Sequence, residues 1–288
     1  MKLLRFGPKG NEKPGLLDAQ GTVRDLSGVL PDLTASDLSP ASLARLREID
    51  PASLPAVAEP GRIAPIIANI GKFLCVGLNY SDHAAESGMA VPSEPVLFMK
   101  ATSAIIGAND AVVLPKDSLK SDWEVELGVV IGTRARYVDI DKALDHVAGY
   151  CVVNDLSERE YQLERGGTWD KGKGCDTFGP VGPWLVTADE VPDPQNLDMF
   201  LEVNGQRYQN GNTRTMVFNV AHLVSYISRF MTLEPGDVIS TGTPPGVGLG
   251  QKPDAIYLKV GDKIRLGISG LGEQNQTVHA WNEALIDG

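Results

Sequence analysis

Turn-forming residues recur along the whole chain, and they constrain its fold more than any other feature of the sequence. The 31 glycines and 19 prolines together make 50 of the 288 residues, and they stand singly rather than in repeats. Glycine and proline are the residues that most strongly punctuate regular structure. Their spacing therefore predicts many short strands joined by turns rather than a flexible linker.

Alternating polar and apolar residues between these turns indicate where the strands lie. Residues 2–7 and 22–27 are short strand candidates, joined through a turn at residues 18–21. The pair Asn204-Gly205 stands between alternating residues, which is a strong signal of a two-residue hairpin. Residues 263–270 and 275–281 are candidates for late strands.

Few helices are predicted. One begins with Pro40 behind a Ser39 cap and runs through Ile49. The clearest spans residues 219–231, where an Asn cap precedes an apolar stripe made of Val220, Leu223, Ile227 and Phe230. Residues 51–65 contain four prolines and are typical of a connection. The chain is therefore expected to be mainly β (α+β), with a small N-terminal domain at residues 1–65 and a catalytic domain at residues 66–288.

Charge and cysteine usage narrow the class of protein. With 26 Lys+Arg against 37 Asp+Glu, the net charge is -11, which disfavours nucleic acid and anionic membranes as partners. The three cysteines show no C-x-x-C spacing, so neither a zinc site nor a disulfide framework is indicated. Without a signal-peptide pattern or an apolar run of about eighteen residues, the protein is expected to be soluble and cytoplasmic.

A cluster of acidic residues is the first candidate for chemistry. In residues 121–132 the side chains of Asp122, Glu124 and Glu126 point to one face of an alternating strand. Two glutamates at this spacing lie roughly 6.5 to 7 Å apart at Cα, so they can converge on one ion. The alternative is an ordinary solvated face.

Asp155 is expected to join this cluster from the end of a second strand. An apolar strand at residues 150–153 leads into Asn154-Asp155, and Ser157 and Glu160 have capping-box spacing, so a helix is predicted immediately afterwards. Arg159 and Gln162 would share one face of that helix. A turn or capping role for Asp155 is the alternative.

Three clustered carboxylates favour a cation. Two like charges 4 Å apart repel by roughly 4 kcal/mol at an effective dielectric of 20, so the group would protonate or bind an ion. Oxygen ligands suit Mg²⁺ or Mn²⁺, with Ca²⁺ also open. Such a site with a divalent ion carries about -1, and Arg159 and Lys173 would bring it to about +1. A pocket of that sign suits a small carboxylic acid.

Further polar residues fit a reaction at such a site. His83 and Glu86 stand three apart in a short turn, where the carboxylate would fix the imidazole tautomer. Lys173 lies between two glycines that allow close approach to a ligand, and Thr241 and Thr243 follow a strand. Each of these is, by itself, typical of an ordinary loop or surface position.

Taken in order, these motifs resemble the fumarylacetoacetate hydrolase superfamily. They are His83-x-x-Glu86, Glu124-x-Glu126, Asp155 in NDLSERE, Lys173 in KGKGCDTFGP, and TGTPPGVG. The whole chain is similar to bacterial members of about this size, labelled ureidoglycolate lyase, 2,4-diketo-3-deoxy sugar acid hydrolase or acylpyruvate hydrolase. The resemblance implies a mixed β-sandwich or roll and a homodimer.

It also implies roles for individual residues. Glu124, Glu126 and Asp155 would hold Mg²⁺ or Mn²⁺, and His83 with Glu86 would form a lid dyad that activates water. Lys173 would be catalytic, while Arg159, Gln162 and Thr241, or Thr243 in its place, would bind the substrate. The variable tail of the substrate has no motif, and its candidate contacts are Tyr161, Trp169 and Arg214.

The function implied is hydrolysis of a C–C bond in a small 2,4-dioxo acid, giving pyruvate or a substituted pyruvate and a carboxylic acid. A lyase reaction on ureidoglycolate, or decarboxylation or isomerisation of a related oxo acid, remains open. An alternative of a different class is a non-catalytic, metal-stabilised binding protein.

Overall fold

The computed structural model describes residues 1–82 and 91–287, which are built mostly from β-strands. The strands are, in chain order, β1 (Lys2–Phe6), β2 (Lys13–Leu17), β3 (Val23–Asp25), β4 (Ala56–Val57), β5 (Phe73–Gly77), β6 (Val96–Lys100), β7 (Ile105–Gly107), β8 (Val112–Val113), β9 (Ser121–Asp122), β10 (Val125–Ile131), β11 (Val147–Asn154), β12 (Ser157–Glu158), β13 (Gly179–Thr187), β14 (Asp198–Val203), β15 (Gln206–Asn212), β16 (Val238–Ser240), β17 (Lys263–Ile268) and β18 (Gly272–His279). The expected mainly β fold is confirmed.

Helices in the described part of the chain are short. They are α1 (Pro40–Arg47), α2 (Arg159–Leu163), α3 (Asp170–Lys173), α4 (Val220–Ile227) and α5 (Glu283–Asp287), with several single turns of 3₁₀ helix between strands. None of the helices in the two described ranges is long and apolar enough to cross a membrane.

Two sheets carry most of the strands. The larger runs in the order β4-β3-β2-β1-β13-β11-β10-β16-β5-β6, and β7 pairs with β13 at its side. The second has the order β15-β14-β17-β18-β8. Strand β10 therefore lies near the centre of the larger sheet, between β11 and β16.

Residues of β10 pack on both faces of the larger sheet. Leu127, Val129 and Ile131 join one apolar core with Leu201 and Leu266 of the second sheet. On the opposite face, Val130 belongs to a core that also contains apolar residues of α1. Because β10 is buried on both sides, polar groups at its start are removed from bulk water.

Several local predictions are confirmed. The hairpin turns at Asn204-Gly205, where both residues have positive φ as a type I′ turn requires. Helix α1 begins at Pro40 as predicted, with Ser39 accepting from the Ser42 N–H, and it ends at Arg47 rather than at Ile49. The prediction missed β2, which pairs with both β1 and β3 and precedes the turn at residues 18–21.

The end of α4 was predicted wrongly. The helix is capped by Asn219 as expected, but it ends at Ile227 rather than near residue 231. The N–H groups of Phe230 and Met231 both bond back to the Ile227 carbonyl, so the chain turns there. Phe230 is consequently 62% exposed and does not belong to the buried stripe.

The N-terminal strands extend the larger sheet. Leu3 of β1 pairs with Leu185 of β13, and β2, β3 and β4 follow outwards from β1. The proposed division into residues 1–65 and 66–288 remains a prediction.

Candidate active site and metal centre

Three carboxylates converge where β10 begins and β11 ends. Val125 pairs with Asn154 and Glu126 with Val153, and the Asp155 N–H donates to the Glu124 carbonyl at 2.9 Å. This register brings one carboxylate oxygen from each of Glu124, Glu126 and Asp155 within 4.8 Å of the others. All three side chains are buried, so the acidic residues form one cluster inside the protein rather than a solvated face.

Two expected cations pair with the cluster. Nζ of Lys173 lies 2.6 Å from Oε2 of Glu124 and 2.7 Å from Oδ2 of Asp155. Nη2 of Arg159 lies 2.6 Å from the other oxygen of Glu124, and its Nη1 donates to Oε1 of Gln162. The side chains predicted to share one face of α2 therefore do so.

The surroundings of Glu124 and Glu126 affect their ionisation in opposite ways. Burial opposes ionisation of Glu124, but the positive charges of Arg159 and Lys173 outweigh it and hold its pKa well below the usual range. Burial, followed by the negative charges of Asp155 and Glu124, raises the pKa of Glu126 well above its usual range. Glu126 is therefore the carboxylate whose charge the protein compensates least.

The cations themselves stay charged. Burial would lower the pKa of Lys173, but the carboxylates of Asp155 and Glu124 outweigh it and raise the pKa above that of an ordinary lysine. For Arg159 the same opposition between burial and the charges of Glu124 and Asp122 also ends in a raised pKa. Both residues therefore act as fixed positive charges.

The sequence prediction missed Lys100 and gave Asp122 no role. Nζ of Lys100 donates to Oδ1 of Asp155 at 2.5 Å and to the Leu156 carbonyl. Asp122 accepts from Nε of Arg159 at 2.8 Å and from the N–H groups of Gly248 and Leu249. The available signal for Lys100 was its position two residues after Phe98 on β6, which places it on the buried face.

The donor set fits a hard divalent cation. Oε2 of Glu126 accepts from the Ser240 hydroxyl and the Gly242 N–H, and among the described residues nothing donates to its Oε1. Glu126 also lines a cavity. With Asp122 included, the site contains four carboxylates, and their negative charges are opposed by the positive charges of Lys100, Arg159 and Lys173. The net charge of the site is therefore about -1, and a divalent ion would bring it to about +1. Oxygen ligands of this kind suit Mg²⁺ or Mn²⁺.

A cavity of about 330 Å³ opens beside these groups. Its polar lining includes Glu124, Glu126, Arg159, Gln162, Lys173 and Thr243. Thr241 is buried behind the wall, where its hydroxyl donates to the Leu127 carbonyl at 3.0 Å. Of the two threonines considered for substrate contact, Thr243 is therefore the one that faces the cavity.

Gln209 links Thr243 to the start of β10 through hydrogen bonds. The Val125 N–H donates to Oε1 of Gln209 at 2.9 Å, while Nε2 of Gln209 donates to Oγ1 of Thr243 and to the Pro244 carbonyl, each at 2.8 Å. Oγ1 of Thr243 in turn donates to the Val125 carbonyl at 2.9 Å. Both backbone groups of the residue between Glu124 and Glu126 are thereby fixed.

Two local expectations around the site were wrong. The predicted Ser157 and Glu160 capping box does not form, because the strand β12 intervenes and Glu158 caps α2 by accepting from the Tyr161 N–H. Gly172 serves helix packing rather than ligand approach, since a Cβ there would lie 2.3 Å from the Glu158 carbonyl oxygen.

Known proteins are similar to this chain in both sequence and fold. A sequence profile described as fumarylacetoacetate (FAA) hydrolase C-terminal matches residues 72–279. The chain belongs to the fumarylacetoacetate hydrolase family. A relative from Burkholderia cenocepacia (strain HI2424) is 67% identical over 276 residues, which are 96% of this chain and 98% of the relative. That relative is named provisionally as a hydrolase, with no substrate in the name.

Two solved structures of the family cover 98% of this chain and all of their own. A fumarylacetoacetate hydrolase from psychrophilic Exiguobacterium antarcticum superposes with a TM-score of 0.85 at 35% identity. A maleylpyruvate hydrolase from Sphingobium sp. SYK-6, in complex with manganese(II) and pyruvate, superposes with a TM-score of 0.80 at 30% identity. Membership of this family supports the expectation that the protein is an enzyme.

The remaining candidates divide into three groups. His83 and Glu86 lie outside the described residues. Trp169 lines the cavity, as expected of a contact to the substrate tail. Tyr161 and Arg214 do not line it, and the Tyr161 hydroxyl instead donates to the Lys116 carbonyl.

Proposed function

We propose that this family member is a divalent-metal-dependent hydrolase that cleaves a C–C bond of a small 2,4-dioxo acid. The observation that carries the proposal is the position of Lys173, a buried cation within 2.7 Å of two clustered carboxylates, at the inner end of a cavity. That arrangement can bind an anionic oxo acid and stabilise the negative charge formed when its C–C bond breaks. The maleylpyruvate hydrolase solved with manganese(II) and pyruvate supports this chemistry.

Glu124, Glu126 and Asp155 are the residues that would hold the ion. A bound Mg²⁺ or Mn²⁺ would act as a Lewis acid that polarises substrate oxygens. Glu126 contributes most to this role because neutral donors hold it in place without neutralising it.

Gln162 and Arg159 would orient the substrate. Every nitrogen of the Arg159 guanidinium already donates to Asp122, Gln162 or Glu124, so Arg159 acts mainly as a fixed charge. Oε1 of Gln162 is occupied by Arg159, and its amide nitrogen donates to no other described residue. The Gln162 amide is therefore available to donate to a substrate carboxylate or oxo group, whereas the Thr243 hydroxyl already donates to the Val125 carbonyl and shapes the wall beside it.

The bond-breaking step needs a base and a charge stabiliser. His83, supported by Glu86, would remove a proton from water as its oxygen adds to the C4 carbonyl. The C3–C4 bond then breaks, C4 leaves as a carboxylic acid, and the electron pair passes to the three-carbon fragment as an enolate, which takes up at C3 the proton held by His83 and becomes pyruvate. Lys173 has three N–H donors, two of which point at Glu124 and Asp155. The third can stabilise the enolate oxygen, a contribution of about 3 to 4 kcal/mol for one well-placed donor.

The substrate panel that tests this function is short. The chelator-treated protein is supplied with Mg²⁺ or Mn²⁺ and assayed with acetylpyruvate, oxaloacetate and ureidoglycolate. We expect acetylpyruvate to give one pyruvate and one acetate per molecule, and only with added metal. Urea released from ureidoglycolate at a higher kcat/KM would favour the lyase, and stability raised by metal without turnover would favour a binding protein.

A further inference from the structure

The cavity changes character from its inner end to its mouth. Glu126 and Lys173 at the inner end are each 2% exposed, whereas Leu163 and Leu249 on the same cavity are 51% and 39% exposed. The charged groups therefore lie deep, and large apolar side chains lie where a bound molecule would emerge. Exposed leucines on a cavity wall are apolar surface that a ligand can remove from water.

Apolar side chains dominate the wall beyond the charged end. They include Val76, Leu78, Phe98, Leu163, Trp169 and Leu249. Among the described residues that line the cavity, Lys252 is the charged side chain outside the inner cluster, and it is exposed. A substrate tail that leaves the inner end thus meets carbon atoms over most of its length.

This wall is held in position before any ligand binds. Trp169 packs on the backbone of Gly77, where a Cβ would lie 2.4 Å from the indole ring, and its edge meets Phe98 at 5.3 Å between ring centroids. Leu249 is fixed because its N–H donates to Asp122, the same carboxylate that holds Arg159. Asp122 therefore positions both Leu249 at the apolar mouth and Arg159 at the charged inner end.

We propose that the substrate of this site is a 2,4-dioxo acid whose acyl group continues beyond C4 as an apolar chain of several carbons or an aryl ring. The tail packs against Leu163, Trp169 and Leu249. These three residues therefore determine the specificity for the substrate tail. The proposal rests on the proposed hydrolase function, since it assigns the part of the substrate that does not react.

An apolar substrate tail should bind more tightly at this mouth than an acidic tail of equal length. An exposed ion pair with Lys252 improves binding by up to about fivefold, because water and salt screen it. At equal length both tails bury the same methylenes, so only the terminal groups differ: burying a terminal methyl group improves binding by about fourfold, whereas a terminal carboxylate loses water against the apolar wall, which offsets its gain from Lys252. The expected order is therefore apolar before acidic at equal length.

The experiment compares three substrates of the metal-loaded protein: acetylpyruvate, 2,4-dioxooctanoate and its ω-carboxylated counterpart 2,4-dioxooctanedioate. We expect kcat/KM for 2,4-dioxooctanoate to exceed that for acetylpyruvate by about tenfold or more, and to exceed that for the dicarboxylate. Equal values for the long and the short substrate, or a preference for the dicarboxylate, would overturn the proposal.

Variants locate the effect. Leu249→Ser and Leu163→Ser should each lower the ratio of kcat/KM between 2,4-dioxooctanoate and acetylpyruvate by about fivefold. Leu144→Ser is the matched control, because Leu144 is 44% exposed and does not line the cavity. It should leave the ratio unchanged. An equal change in all three variants would contradict a tail contact.

The same assay separates the two levels of the proposal. If acetylpyruvate is hydrolysed but chain length has no effect, the hydrolase function stands and the apolar tail is wrong. If none of the three acids is consumed with Mg²⁺ or Mn²⁺ present, the hydrolase function itself is wrong.

Discussion

Nζ of Lys100 lies 2.5 Å from Oδ1 of Asp155, while Nζ of Lys173 holds the other oxygen of the same carboxylate at 2.7 Å. Both lysines are buried, so Asp155 is neutralised from two sides inside the protein. In this arrangement the fold itself fixes Asp155. Lys100 is therefore a positioning residue for Asp155, one of the three proposed metal ligands.

Removing Lys100 should destabilise the protein strongly. Lys100→Met leaves a buried carboxylate with one partner fewer, a change that costs about 3 to 5 kcal/mol when a buried ion pair is broken. Urea denaturation of the metal-free protein measures the free energy of unfolding. Lys142→Met, at an exposed lysine, is the control and should change stability by less than about 0.5 kcal/mol. Equal effects of the two substitutions would contradict the role of Lys100.

Glu126→Gln should separate metal binding from folding. The amide oxygen can still accept from Ser240 and Gly242, and the substitution removes a negative charge beside Asp155 and Glu124. We expect the Kd for Mn²⁺, measured by isothermal titration calorimetry, to rise by more than about tenfold. The free energy of unfolding of the metal-free protein should not fall. If the affinity for Mn²⁺ were unchanged, Glu126 would not be a metal ligand. Glu273→Gln, at an exposed position on the surface, is the matched control.

Gln209→Leu should cost stability through unpaired backbone groups. The Val125 N–H and the Pro244 carbonyl both lose their partner in a buried position, at about 1 to 3 kcal/mol for a buried polar group left unsatisfied. Since Thr243 loses a donor as well, KM for the oxo acid should rise. The exposed Gln20 provides the control, and a Gln209→Leu protein as stable as Gln20→Leu would refute the assignment.

His83→Ala should split two activities. Hydrolysis needs an activated water, whereas decarboxylation of oxaloacetate needs only stabilisation of the enolate, so hydrolysis should be lost and decarboxylation retained. Steady-state rates with acetylpyruvate and oxaloacetate measure this. Equal loss of both would argue against a water-activating role, and His279→Ala, outside the cavity lining, should preserve both.

The cysteines should be poorly reactive in the folded protein. Burial raises the pKa of the Cys175 thiol to about 11, and it raises the thiol pKa of Cys75 and Cys151 further. A thiol is neutral below its pKa, so at pH 8 the reactive thiolate of Cys175 is roughly 100-fold scarcer than for a thiol of pKa 9. Reaction with Ellman's reagent should therefore be slow until the protein is unfolded, when three thiols appear. Rapid reaction of a native thiol at pH 8 would contradict this.

The sequence by itself located the parts of the site that depend on local pattern. Period-two alternation placed Glu124 and Glu126 on one side of the chain where β10 begins, and an apolar strand followed by Asn-Asp placed Asp155 at a strand end. Helical spacing placed Arg159 beside Gln162. These relations span a few residues, and backbone geometry alone determines them.

Only the tertiary structure showed that Lys100 and Gln209 also belong to the surroundings of the cluster. Lys100 lies 55 residues from Asp155, and Gln209 lies 84 residues from Val125. Their contacts follow from the order of β6, β5, β16, β10 and β11 in one sheet, and from the packing of the second sheet against it. Strand order is a long-range property that residue spacing does not encode. The sequence therefore predicted the acidic cluster and its partners Arg159 and Lys173, while the fold added Lys100 and determined which side chains form the mouth of the cavity.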